Sequence, residues 1–150
     1  MSVMDQINEK ILRELSRDGR ISNLDLADRV GLSPSACLRR VQDLERRGVI
    51  QGYRAVLDRT QLGTGFAAYV GVGLSDHSKA SQEAFERSIS RSPQVVECHN
   101  ITGTIEYLLR VECADLAAYK VFHTDVLGAL DAVSSITSYV VMGSPKDDRA

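Results

Sequence analysis

The sequence is short of cysteine: only Cys37, Cys98 and Cys113 occur, and they lie far apart. An odd, scattered set does not make a disulfide framework, and no pair has the close spacing of a zinc knuckle. The nearest approach to a metal cluster is Glu97-Cys98-His99. Neighbours on a strand point to opposite faces, so a small buried thiol beside a polar histidine is the plainer expectation. Long apolar runs are also missing; none approaches the ~18 residues needed to cross a bilayer. The start, Met1-Ser2-Val3-Met4-Asp5-Gln6, has no basic region followed by an apolar stretch. No signal peptide is expected, and the cytoplasm is the default location. There is no glycine-rich phosphate loop: Gly71 and Gly73 fall inside a strand pattern, with no helix-opening glycine after them. His77, His99 and His123 are scattered, without the gathered nucleophile, base and orienting group that catalysis needs. No enzyme activity, metal or cofactor is expected.

What is present fits an ordinary folded chain. Of 150 residues, 43% are apolar and 25% charged, which excludes a chain that is disordered as a whole. The net charge of −2 hides an asymmetry. Residues 1–64 hold eleven basic and nine acidic side chains, whereas residues 65–150 hold seven and eleven. Halves of opposite sign suggest two jobs, the basic one facing a polyanion.

The first half reads as three short helices. Ile7, Ile11, Leu12 and Leu15 recur at helical spacing behind Asp5 and stop at Asp18-Gly19. Ser22-Asn23-Leu24-Asp25 has the capping-box pattern and opens a second helix that ends at Gly31. Ser33-Pro34 opens the third, a cap followed by a proline where a missing N–H costs nothing. It runs to about Arg47. Two helices joined by Gly31-Leu32-Ser33 form a helix-turn-helix.

At ~100° per residue, Cys37, Val41 and Leu44 share the core face of the third helix. Ser35, Arg39, Gln42 and Arg46 lie opposite, flanked by Arg40 and Arg47. Hydroxyl, guanidinium and amide groups along one outer line suit the DNA major groove, where Arg pairs twice with guanine and Gln twice with adenine. Ser35, Ala36 and Arg39, near the helix start, are the expected base readers. Gln42 extends the same line. Arg40, Arg46 and Arg47 are expected on phosphates, and Ser33 serves as cap, as DNA contact, or as both. A solvated arginine-rich face in a small bundle would look similar.

Val49 to Leu57 reads as a strand, and Asp58 to Gly65 as a loop and domain boundary. Phe66 to Leu74 then alternates as a strand. Ala80, Ala84, Phe85 and Ile89 mark a helix ended by Pro93, and Gln94 to Ile101 is β-rich. Ile105, Tyr107, Leu109, Val111 and Cys113 face one way on the clearest strand. Leu116, Tyr119, His123, Val126, Leu127 and Leu130 make a helix, and Val133 to Met142 a last strand. The order β-α-β-β-α-β is a ferredoxin-like unit. With its helices on one sheet face, the other keeps Ala67, Tyr69, Leu108 and Tyr139 among polar residues, which invites self-association. The expected fold class is α+β: a winged helix-turn-helix domain with its linker strand at 4–65, a ferredoxin-like domain at 66–143, and a loose polar tail at 144–150.

Three motifs in combination resemble the leucine-responsive regulatory protein (Lrp/AsnC) family: Gly19-Arg20-Ile21-Ser22-Asn23, Val30-Gly31-Leu32-Ser33-Pro34 and Arg46-Arg47-Gly48-Val49-Ile50-Gln51-Gly52-Tyr53. The likeness continues through Glu97-Cys98-His99, Gly103 to Leu109 and Tyr139-Val140-Val141-Met142, covering nearly the whole chain. It implies a transcriptional regulator that binds double-stranded DNA, senses an amino acid, and forms homodimers that often assemble into octamers. It also places an effector pocket at a turn whose usual pattern is Gly-Asp-aromatic-Asp-Tyr. Here that turn reads Gly103-Thr104-Ile105-Glu106-Tyr107. Gly103 and Tyr107 match, Thr104 and Ile105 depart, and Glu106 stands for an aspartate. An ammonium anchor is lost at Thr104. On the residues alone, Gly103 serves a hairpin turn or a ligand, Glu106 is a solvated strand residue or a ligand group, and Tyr107 has the phase of a core residue.

Two other readings stand beside a sensing regulator. One is a chromatin-like architectural protein that organises DNA without an effector. The other is a regulatory subunit of an enzyme, in which the helix-turn-helix is idle. An effector that changes DNA affinity separates the first from a sensor, and DNA binding at physiological salt excludes the second.

Overall fold

The computed structural model describes residues 4–147. The chain divides into two compact units between Val56 and Leu57.

The first unit contains three helices, α1 (Gln6–Arg17), α2 (Asn23–Val30) and α3 (Pro34–Arg46). Each begins at an oxygen-bearing cap that satisfies a backbone N–H left free in the first turn. Asp5 accepts from the Asn8 N–H at 2.8 Å, Ser22 from Asp25 at 3.0 Å, and Ser33 from Ala36 at 3.3 Å. The capping box differs in one detail: Asp25 reaches back to the Ser22 hydroxyl at 2.7 Å. α2 ends at Gly31, whose φ of 74° lies in the left-handed region that glycine enters without a Cβ penalty. Ile11, Leu26, Ala27, Val30, Cys37 and Leu44 form the buried core, with Val41 and Ile50 packed on it. The strand expected over Val49 to Leu57 is absent. A strand is a paired object, and these residues have no ladder partner; the Val49 and Ile50 N–H groups both donate to the Leu44 carbonyl instead.

The second unit follows the order β1 (Phe66–Leu74), α4 (Lys79–Ile89), β2 (Val95–Asn100), β3 (Tyr107–Cys113), α5 (Leu116–Phe122), a π-helical turn (His123–Leu127) and β4 (Val133–Val140). The strands form one antiparallel sheet in the order β2-β3-β1-β4. This is the ferredoxin-like arrangement, with β3 inserted between the strands of a βαβ unit. Alternation sends Ala68, Val70, Val72 and Leu74 of β1, and Tyr107, Leu109, Val111 and Cys113 of β3, into a core shared with Phe85, Ile89, Tyr119 and Phe122. Leu116, expected inward, is 62% exposed, because it sits directly after the Asp115 cap, before the buried stripe begins. β3 also begins at Tyr107, three residues later than the start at Thr104 that the alternation predicts.

The open sheet face pairs Tyr69 with Arg110 and Tyr139, and Ala67 with Glu112. It is more charged than the apolar phase suggested. Glu112 is 7% exposed and takes Arg59 Nε on one oxygen and Arg110 Nε on the other, each at 3.2 Å. Arg110 also donates to the Tyr69 hydroxyl at 3.1 Å and to Asp147 at 3.4 Å.

Candidate nucleic-acid interface and the effector turn

α3 is held so that one face points away from the unit. Cys37 and Leu44 are fully buried on the core side, while Ser35, Arg39, Gln42 and Arg46 are exposed and Ala36 is half-buried. The helix start is fixed twice. Ser33 caps it and lies 3.4 Å from the Ser35 hydroxyl, and the Asn23 amide donates to the Pro34 carbonyl at 2.8 Å. That second tether joins the start of α2 to the start of α3. Sequence spacing does not show it, because the acceptor is a backbone carbonyl eleven residues on.

The cations on α3 fall into three states. Among the described residues Arg39 has no side-chain partner and stands in solvent. Arg46 and Arg47 both pair with Asp43, Arg47 at 3.2 Å. The hydrogen bond from Arg47, and then the charges of both arginines, hold the Asp43 carboxyl below its usual range. Arg40 turns the other way: its Nη1 donates to Asp5 at 2.6 Å and to Asn8 at 2.9 Å. Leu38 also belongs to this surface, an apolar residue among polar ones. It is 45% exposed beside Gln42, and the helical wheel already sets it ~100° from the core stripe. The Cys37 thiol is buried and its pKa is raised by that burial, the reverse of a reactive thiolate.

The turn of the second unit is built around two contacts to β1. Gly103 has φ of 137°, a value L side chains rarely adopt. Thr104 is exposed. Ile105 folds across the open face onto Gly71, where a Cβ would lie 2.6 Å from the Ile105 Cδ1; glycine there makes the approach possible. Glu106 is not a solvated strand residue. One carboxylate oxygen accepts from the Leu74 N–H at 2.6 Å, the other lies 2.9 Å from His77 Nδ1, and the Glu106 N–H donates to the Val72 carbonyl at 3.1 Å. Glu106 therefore clips the turn to the end of β1. Behind the turn, on the helix side, a cavity of about 330 Å³ is lined by Glu86, Ile89, Val95, Cys98, Asn100 and Tyr107. Tyr107 is buried as its phase suggested, and its hydroxyl donates to Glu86 at 2.7 Å. Burial, then the bond to Glu86, push its pKa up to about 12.

Among the described residues no group of three or more His, Cys, Asp or Glu side chains is placed to hold a metal. No helix among them is long and apolar enough to cross a membrane.

Comparison with known proteins joins the two units. Residues 4–51 match the winged helix-turn-helix DNA-binding family, and residues 67–150 the Lrp/AsnC ligand binding domain. The leucine-responsive regulatory protein of Escherichia coli (strain K12) is 39% identical over 143 residues, spanning 95% of this chain and 87% of that protein. A transcriptional regulator of Neisseria meningitidis, solved as an L-Met complex, superposes with a TM-score of 0.92 at 34% identity, covering 97% of this chain and 94% of that one. An AsnC family transcriptional regulator of Agrobacterium tumefaciens gives a TM-score of 0.90 at 35% identity, covering 96% and 94%.

Proposed function

The chain belongs to the Lrp/AsnC family of DNA-binding transcriptional regulators, which are not enzymes, and from that premise we propose how this member reads DNA and what it senses. α3 enters the major groove of a specific duplex, with Ser35, Ala36, Arg39 and Gln42 toward base edges and Ser33, Arg46 and Arg47 toward phosphates. The observation that carries this reading is the exposed, unpartnered Arg39 on a helix whose start is fixed at both Ser33 and Pro34. Arg46 and Arg47 exchange Asp43 for phosphate oxygens on binding. Residues 4–65 act as the DNA-binding part and 66–143 as the part that binds effector and a second copy; the active form is a cytoplasmic homodimer or an octamer built from four dimers. Two-fold symmetry then calls for half-sites about one helical turn, or a multiple, apart.

The effector is a small molecule of the amino-acid class, seated at Gly103, Thr104, Ile105 and Glu106. That the Neisseria relative was solved with L-Met supports the class. Glu106 already serves Leu74 and His77, so the ammonium group of such a ligand needs another anchor. The same observation favours the architectural reading, in which DNA is organised and nothing is sensed. A fluorescence-anisotropy titration separates the two. The probes are the DNA upstream of the protein's own gene and a scrambled duplex, at fixed salt, with and without a pool of the common amino acids. Preference for the upstream DNA that shifts with the pool is expected. Equal affinity for both duplexes, indifferent to the pool, supports the architectural protein instead.

A further inference from the structure

The sequence places Arg40 beside the outer stripe of α3 and suggests a phosphate contact. Its surroundings point elsewhere. Asp5 and Asn8 lie at the very start of α1, more than thirty residues away, and both take a hydrogen bond from the same Arg40 nitrogen. Asn8 is 9% exposed, so its amide oxygen has little access to water and needs a protein donor. Asp5 works with both oxygens: Oδ1 caps α1 through the Asn8 N–H and Oδ2 takes Arg40. The bond from Arg40 is also the largest cause of the lowered Asp5 pKa. The Arg40 side chain retains only 33% of its exposure. Its charge is neutralised in place, and a phosphate would have to compete with a carboxylate and an amide already in contact.

We propose that Arg40 is a positioning residue: with Asp5 and Asn8 it locks the start of α1 to the middle of α3 and fixes the angle at which Ser35 and Arg39 meet the bases. The proposal rests on the reading of α3 as the recognition helix. Besides the core packing of Cys37, Val41 and Leu44, three polar contacts hold that helix: the Ser33 cap, the Asn23 tether at its start, and the Arg40 node midway along it. Two restrain its start and one its rotation. Loss of the node frees α3 to roll about its own axis and misaligns the paired bonds of Arg39, on which base discrimination depends. A phosphate contact is indifferent to such alignment; it is a charge effect, felt equally by every duplex.

The test uses the full chain with three variants: Arg40→Ala, Asp5→Ser and the double substitution. Serine caps a helix about as well as aspartate but is too short to bridge to Arg40. Two probes are used, the duplex recovered by selection from a random-sequence pool and a scrambled duplex of equal composition, each titrated over a series of salt concentrations. Circular dichroism at the assay temperature checks that each variant is folded; if Arg40→Ala is not, Asp5→Ser decides alone. The expected result is a loss of about tenfold in preference for the selected duplex in either single variant, with the double no worse than one of them. Affinity for the scrambled duplex and the salt slope stay at their wild-type values. The proposal is overturned if Arg40→Ala weakens both duplexes alike and flattens the salt slope by about one, as a lost phosphate contact does. It is also overturned if Asp5→Ser leaves the preference intact or if the two losses add. A wild-type protein that shows no preference overturns the recognition-helix reading itself, and this proposal with it.

Discussion

Apart from the Arg40 node, the outer face of α3 and the sheet unit use their charges in opposite ways. On the helical unit, Arg39 and Arg46 stand in solvent, and the pairs that Arg46 and Arg47 make with Asp43 are local contacts along one helix. Such exposed pairs contribute little to stability and exchange readily for another anion. On the sheet unit, Glu112 and Arg110 are nearly withdrawn from water and hold strand, linker and tail residues together through Arg59, Tyr69 and Asp147. Net charge per half, mildly positive against negative, is a weak guide to this difference. The stronger guide is whether a charge is still exposed after folding. Where it is, a polyanion can recruit it; where it is not, it belongs to the architecture.

The largest test of that contrast is Glu112→Ala. It leaves the Arg110 guanidinium, 15% exposed, without its main counter-charge. Breaking a buried pair from one side is costly, so a loss of about 3 kcal/mol is expected. Arg59 is 49% exposed and adds little to that figure. Urea unfolding followed by circular dichroism and tyrosine fluorescence measures it. Replacing both partners, Glu112→Leu with Arg110→Met, should recover part of the loss, because the two facing charges go together, while the longer bond from Arg110 to Asp147 is given up. A single variant that melts like the wild type would mean that the network is solvated and that the contrast between the units is overstated.

The features readable in the sequence share one property: they are local. Each cap sits within three residues of the N–H it satisfies, and the core stripe of α3 follows from the helical period alone. The β-α-β-β-α-β order is likewise a succession of local periods. What the sequence hid depends on distant partners. Val49 to Leu57 has strand character but no neighbouring strand to pair with. Glu106 looks like any outward strand residue until the Leu74 N–H lies against it. Glu112 falls on the solvent phase of β3, yet it is buried there, paired with Arg59 from the distant linker and with Arg110. On the candidate interface the exposed residues Ser35, Arg39, Gln42 and Arg46 came directly from the wheel. The partners of Arg40, far away at the start of α1, did not.

A second expectation sharpens the helical side. Arg39→Ala should cost about 1–3 kcal/mol in binding the preferred duplex and relax its sequence preference. Thermal stability should move by less than about 0.5 kcal/mol, because no folded contact is removed. Arg46→Ala should instead weaken every duplex alike and reduce the salt slope by about one. Anisotropy titrations on selected and scrambled duplexes distinguish the patterns. Should Arg39→Ala retain full preference, the outward line of α3 is not the reading surface.

The smallest effect belongs to Tyr107, which carries a polar group into the sheet unit's core. Its hydroxyl meets Glu86 at the mouth of the cavity, and Glu86 is itself exposed. Tyr107→Phe therefore removes one hydrogen bond without stranding a buried charge, and about 1 kcal/mol is expected. The pH dependence has a definite sign. Folding raises the Tyr107 pKa from 10 to about 12, so the folded chain retains a proton that the unfolded chain releases. This contribution is complete below pH 10 and is lost as pH rises through about 12. Alkaline titration at 295 nm should show a tyrosinate step near pH 12 in the wild type and lose it in Tyr107→Phe. DNA affinity should be the same in both, since this bond lies wholly within the sheet unit. A variant that altered DNA affinity at neutral pH would tie the cavity to the reading helix and end the separation of roles drawn between the two units.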